Sequence, residues 1–193
     1  MGLIALSAVS ASAQKMDVIS GDIKVLAGQS NILVTYDFKD LDMGKEGSET
    51  DYLKKKKDDL NAKEPGKGDK FVEGWGHNKT ERYEPKFEEL FNKTGDGKYA
   101  ISQTNKSAKY TLIVKTLTLY PGYNIGISKI PSYVSFAFVI VETANPTKEL
   151  CRIEVRNVQG TQIMGTDFDA GSRLQESYAK AGKMLANYIL KKS

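Results

Sequence analysis

The sequence predicts an α+β fold: a mainly antiparallel sheet with helices packed on one face and a long helix at the C-terminal end. Three features point to it. Three long β-rich runs, beginning at Lys109, Ser132 and Glu149, follow one another in the second half of the chain. Two helical candidates sit side by side in the first half. The closing stretch carries a single apolar stripe at helical spacing. With 193 residues, 40% hydrophobic and 27% charged, the chain can bury one good core, so a single domain over residues 15–193 is expected.

The chain opens with an apolar run, Leu3 to Val9, leading into Ala11-Ser12-Ala13, the small-x-small form read by signal peptidase. Residues 1–14 therefore read as an export signal with a truncated n-region. Cleavage before Gln14 is expected, and a mature start at Gln14 or Lys15. No cysteine follows the run, so a lipid anchor is not expected, and no other stretch is long and apolar enough to span a bilayer. A periplasmic or secreted location follows.

"NILVTYDF", Asn31 to Phe38, is rich in branched residues and reads as a strand, with a short one expected before it at Asp22–Leu26. A helix is expected from Glu49 to Ala62. Its "LKKKKDDL" segment spreads four lysines and two aspartates around a solvated surface. "EPGKGD" breaks that helix. A second helix is expected to begin at Pro85, whose missing N–H is harmless in a first turn, with Phe87, Leu90 and Phe91 on one face.

The three β-rich runs are expected to form an antiparallel meander, with "ANPTKE" as a hairpin-type connection. Phe136 to Val141 is apolar at nearly every position, as suits a central strand covered on both faces. In the last helix Leu174, Tyr178, Ala181, Leu185 and Ile189 share one face toward the sheet. Ser172 with Gln175, or Asp169, is expected to cap it. Gly182 on the same face is expected to admit a strand at close range. Cys151 alternates with charged neighbours beside Ile153 and Val155 and reads as a small buried apolar residue.

Taken together, "AKYTLIVKTLTLYPGYNIGI", "SYVSFAFVIVETANP" and "DFDAGSRLQESYAKAGKMLANYILK" resemble uncharacterised secreted proteins of Bacteroidetes-type bacteria over roughly the last half of the chain. The order of elements is similar, at fold level, to the α/β domains of the curli-secretion lipoprotein and TolB amino-terminal group. That likeness implies an envelope assembly role. The lipidated cysteine of the curli-secretion lipoproteins is missing here, which argues against a membrane-anchored pore.

The chemistry-bearing residues are few. "GWGHNKTERYEP" holds the chain's one tryptophan and one histidine. Glu73, His77 and Glu81 would line one helix face and suit a divalent metal, but Gly74 and Gly76 argue against a continuous helix, and Asn78 with Glu81 resembles a capping box starting a new turn. No metal and no cofactor are therefore expected, and Trp75 is expected in a loop. Asp167, Asp169 and Gly171 lack the further ligands and terminal glutamate of a calcium loop. "YPGYN" places Pro-Gly in a type II turn with Tyr120 and Tyr123 on either side.

No phosphate loop, nucleophile elbow or zinc motif occurs, so no catalytic residue is named and a non-enzyme is expected. A net charge of +4, mostly interleaved, argues against a nucleic-acid partner. The expected function is an exported envelope binding or assembly module, with an envelope protein or a glycan as partner and Trp75, His77, Tyr120 and Tyr123 as binding candidates. Two alternatives stay open: a small-ligand or glycan binder using the loop aromatics, and a hydrolase working through a carboxylate pair.

Overall fold

The computed structural model describes residues 14–124, 127–160 and 170–192. Residues 1–13 of the expected export signal, including Ala11-Ser12-Ala13, lie outside the described residues, and so do Asp167 and Asp169.

The chain forms an α+β fold. Its sheet has six strands in the order β1-β8-β7-β4-β2-β3. These are β1 (Met16–Gly21), β2 (Asn31–Asp37), β3 (Ala100–Ser102), β4 (Tyr110–Tyr120), β7 (Tyr133–Glu142) and β8 (Asn145–Val158); β5 (Tyr123–Asn124) and β6 (Lys129–Ile130) make a separate two-stranded ribbon. The meander β4-β7-β8 is antiparallel as the sequence predicts, and β1 adds to β8 antiparallel. β2 runs parallel to both β4 and β3, because its chain crosses the helical half before returning to the sheet.

Two local expectations at the strands are corrected. Asp22–Leu26 is not a strand: Ile23–Leu26 is a 3-10 turn, capped by the Asp22 carboxylate, which accepts from Lys24 N at 2.9 Å. The connection between β7 and β8 is tighter than "ANPTKE", consisting of Thr143 and Ala144 alone, with Glu142 paired to Asn145.

β7 is the central strand, and alternation divides its side chains between two faces. Phe136, Phe138 and Ile140 join the main core under the helices. Ala137, Val139 and Val141 join a small cluster with Ile113 and Leu117 on the other face, made of strand residues alone.

The helical half comprises α1 (Glu49–Asn61), α2 (Lys67–Asn78), a π-turn (Lys79–Tyr83) and α3 (Glu84–Gly95). The Ser48 hydroxyl caps α1 by accepting from Asp51 N at 3.1 Å. Its lysines are solvated and ion-paired, Lys54 to Asp58 at 2.6 Å and Lys57 to Asp69 at 2.7 Å. The glycines Gly74 and Gly76 do not interrupt α2. Each disfavours helix by about 1 kcal/mol, but Phe71 and Trp75 pack onto Tyr52 of α1 and hold the helix in place. Asn78 does not cap a new helix, since helical backbone runs on through the π-turn into α3. Pro85 explains the π-turn: it cannot donate to the preceding turn and its ring crowds that turn's carbonyls, so the backbone widens there.

The last helix, α4 (Ala170–Lys192), buries Leu174, Tyr178, Ala181, Leu185 and Ile189 completely. Ala170 and Gly171 are already helical, so Ser172 lies inside the helix and is not its cap. Gly182 does admit a close neighbour, but a helix rather than a strand: a Cβ there would lie 2.3 Å from the Phe87 carbonyl oxygen of α3. Tyr178 stacks on Tyr83 at 4.9 Å and shares a 2.7 Å hydrogen bond with Thr116 of β4, tying α4 to both the helical layer and the sheet.

Candidate functional site

Trp75 is not a loop residue available to a partner. It is 4% exposed, its ring lies 5.2 Å from that of Tyr52, and its indole Nε1 donates to Glu49 Oε1 at 2.7 Å. Glu49 also receives Lys79, at 2.7 Å, so one carboxylate joins α1, α2 and the π-turn. This is a tether between helices. Trp75→Phe is expected to destabilise by about 1–3 kcal/mol by removing one bond of a half-buried charged group, and Trp75→Ala by about 3–5 kcal/mol. Denaturant melts of the two variants check this.

His77 lies on the exposed face of α2, with its Nδ1 3.0 Å from Glu81 Oε1 and more than half of its side chain in solvent. The four-residue spacing is thus realised on a helix for this pair, and Glu73 does not join it. Among the described residues no group of three or more His, Cys, Asp or Glu side chains is placed to hold a metal ion.

The type II turn expected at "YPGYN" does not form: Pro121 and Gly122 link β4 to β5 without a turn, and Tyr123 pairs with Ile130 in the same register in which Tyr120 pairs with Tyr133, so the chain runs on along the hairpin. Gly122 sits at φ 60°, where a Cβ would meet the Ile130 carbonyl oxygen at 2.2 Å. The two tyrosines of this segment have different roles. Tyr120 is buried, stacked on Tyr133 at 4.9 Å with Gly44 against its ring, and burial pushes its hydroxyl pKa up. Tyr123 is 39% exposed and shares a 3.0 Å hydrogen bond with Ser128 Oγ. The structure brings Tyr120 and Tyr123 to one end of the sheet and places Trp75 and His77 on α2.

Cys151 is buried on β8 beside Ile153 and Val155, and burial pushes its thiol up to about 11, which keeps it protonated and unreactive at neutral pH. A carboxylate pair does exist, one helical turn apart on α3. Glu84 and Glu88 are both half-buried, and burial raises both carboxyls while a Gln103 hydrogen bond opposes the rise. A raised carboxyl penalises the ionised folded state. The penalty is absent below the ordinary carboxyl pKa of about 4.5 and grows as pH rises through the folded value. Glu88→Gln is therefore expected to stabilise the fold at pH 7 by less than about 1 kcal/mol given solvent screening, seen as a higher melting temperature, with the gain vanishing below about pH 4. Melts across that range test it.

The surface that stands out most is barely marked in the sequence. Among the described residues β1 is an edge strand that pairs only with β8, and it exposes Val18 (48%) and Ile19 (55%). Its register with β8 shifts between Val18, opposite Ile153, and Ser20, opposite Arg152, leaving Ile19 in a bulge. Gly21, at φ 68°, ends the strand where a Cβ would strike the Leu150 carbonyl. The only sequence signal was two adjacent branched residues in "MDVISG", a few residues after the apolar run Leu3–Val9.

No protein-family model matches the chain, and no curated protein does. Among solved structures, the PelC dodecamer of Paraburkholderia phytofirmans is similar at 15% identity with a TM-score of 0.40, over 88% of this chain and 96% of that one. A point variant of the same PelC gives 13% identity and a TM-score of 0.39, over 89% and 98% of the two chains. At this level the likeness carries no functional inference. No helix among the described residues is long and apolar enough to cross a membrane.

Proposed function

We propose that the chain is an exported, non-enzymatic binding or assembly module of the cell envelope that recognises its partner through the open edge of β1. The observation that carries the reading is the pair Val18 and Ile19, two branched apolar side chains in solvent on the last strand of a six-stranded sheet. An edge strand presents unpaired backbone groups to an incoming strand, and exposed apolar side chains beside them supply the burial that makes such pairing stable. Export rests on Leu3–Val9 and Ala11-Ser12-Ala13 in the sequence.

The test uses protein recovered from the native envelope. Its intact mass is expected to start at Gln14 or Lys15, and the wild type is expected to co-purify with a stoichiometric partner. A Val18→Lys, Ile19→Lys double variant is expected to fold normally, since both positions are exposed, and to lose the partner at least tenfold. Equal recovery of the partner by both would overturn the β1 assignment, and a cytoplasmic chain retaining Met1 would overturn export.

A further inference from the structure

The outward side of α4 carries Lys180, Lys183, Asn187 and Lys191, all exposed and all within one arc of the helix. Two troughs flank this row. One, of about 440 Å³, lies toward α3 and is floored by Leu90 and Ala179; the other, of about 380 Å³, lies toward the start of β1 and is floored by Met16 and Tyr188. Met184 and Asn187 line both, so the two troughs adjoin along α4, and together they make one uneven groove. From Glu176 to Lys191 the groove follows about 22 Å of helix.

Its charge is uncompensated. The lysines of α1, α2 and the π-turn are largely engaged by carboxylates: Lys54, Lys57, Lys67 and Lys79 all have an acidic partner within 3 Å. Lys180, Lys183 and Lys191 have none among the described residues. Glu176 is the single acid on the groove wall. The floor carries Leu90, Ala179, the ring of Tyr188 and the thioethers of Met16 and Met184, flexible side chains that adapt to apolar ones.

We infer that this groove binds an extended acidic polypeptide segment that also carries apolar side chains. Carboxylates of the segment engage Lys180, Lys183 and Lys191, while its apolar residues fill the floor around Met184. The inference rests on the reading of the chain as a binding module and names the partner's chemistry at a second surface, which meets β1 at Met16.

The test is titration of the purified chain with a random glutamate–tyrosine copolymer, beside poly-L-glutamate of equal length, polygalacturonate and anionic phospholipid vesicles. The copolymer is expected to bind at least tenfold tighter than poly-L-glutamate, and to weaken with salt. Lys180→Glu, Lys183→Glu, Lys191→Glu in one chain is expected to reduce copolymer binding at least tenfold, whereas Lys54→Glu, Lys56→Glu on α1 is expected to leave it unchanged. Met184→Ser is expected to erase the preference over poly-L-glutamate. Tighter binding to polygalacturonate or vesicles than to the copolymer, or equal binding by the α4 and α1 charge-reversed chains, would overturn the inference. Loss of this binding with β1-dependent partner recovery intact would refute the groove and leave the module reading standing.

Discussion

Leu185→Asp is expected to unfold the domain. Leu185 has no exposed surface and sits in the middle of the α4 stripe between Ala181 and Ile189. A carboxylate there either stays ionised without a partner or takes up a proton, and both routes cost several kcal/mol. Whole-domain stabilities are about 5–15 kcal/mol, so one such penalty removes most of the margin. His77→Ala is the matched control: its side chain is mostly solvated and pairs only with Glu81, and a change within about 0.5 kcal/mol is expected. Urea melts of both variants provide the check, and similar midpoints would contradict the packing assigned to α4.

Gly182→Ala and Gly74→Ala are expected to act in opposite directions, although both replace a helical glycine. By propensity alone each should stabilise by about 1 kcal/mol. At Gly74 a new Cβ meets nothing within 4 Å, so the gain is expected to survive and to raise the melting temperature by about 2–4 °C. At Gly182 the same methyl would lie 2.3 Å from the Phe87 carbonyl oxygen and 3.2 Å from Phe91 N. Backbone cannot swing aside as a side chain can, so α3 and α4 must separate, and a net loss of about 2 kcal/mol or more is expected. Calorimetric melts of the two variants decide the matter, and stabilisation by Gly182→Ala would contradict the close approach of the two helices.

The elements legible in the sequence are those whose periodicity runs long enough to outweigh local accident. The α4 stripe from Leu174 to Ile189, the β4, β7 and β8 runs, and α1 from Glu49 are of this kind. Gly182 was legible as a point of close approach, but its neighbour was not, because a missing side chain shows that space is needed without showing what fills it. α2 was misread because Gly74 and Gly76 were weighed locally. What holds that helix is the contact of Trp75 with Glu49, 26 residues away, and the fit of Gly68 against α1, where a Cβ would lie 2.2 Å from the Lys57 carbonyl oxygen. The same misreading placed Trp75 in a binding loop when it is a packing residue. Of the four binding candidates only His77 and Tyr123 keep an exposed side chain. The β1 edge escaped notice because Val18 and Ile19 look ordinary in a chain that is 40% hydrophobic. Their meaning comes from the strand order, which leaves them on the sheet's last strand.

Position-specific photocrosslinking tests the recognition role of β1 most directly. A photoreactive residue is placed at Val18 or Ile19, and at Lys98 as a solvent-facing control, and the chain is irradiated in the native envelope. The expected result is one adduct of discrete mass from positions 18 and 19, with none from position 98. Adducts of equal yield from all three positions, or none from β1 while the chain remains bound to its partner, would contradict recognition through this edge.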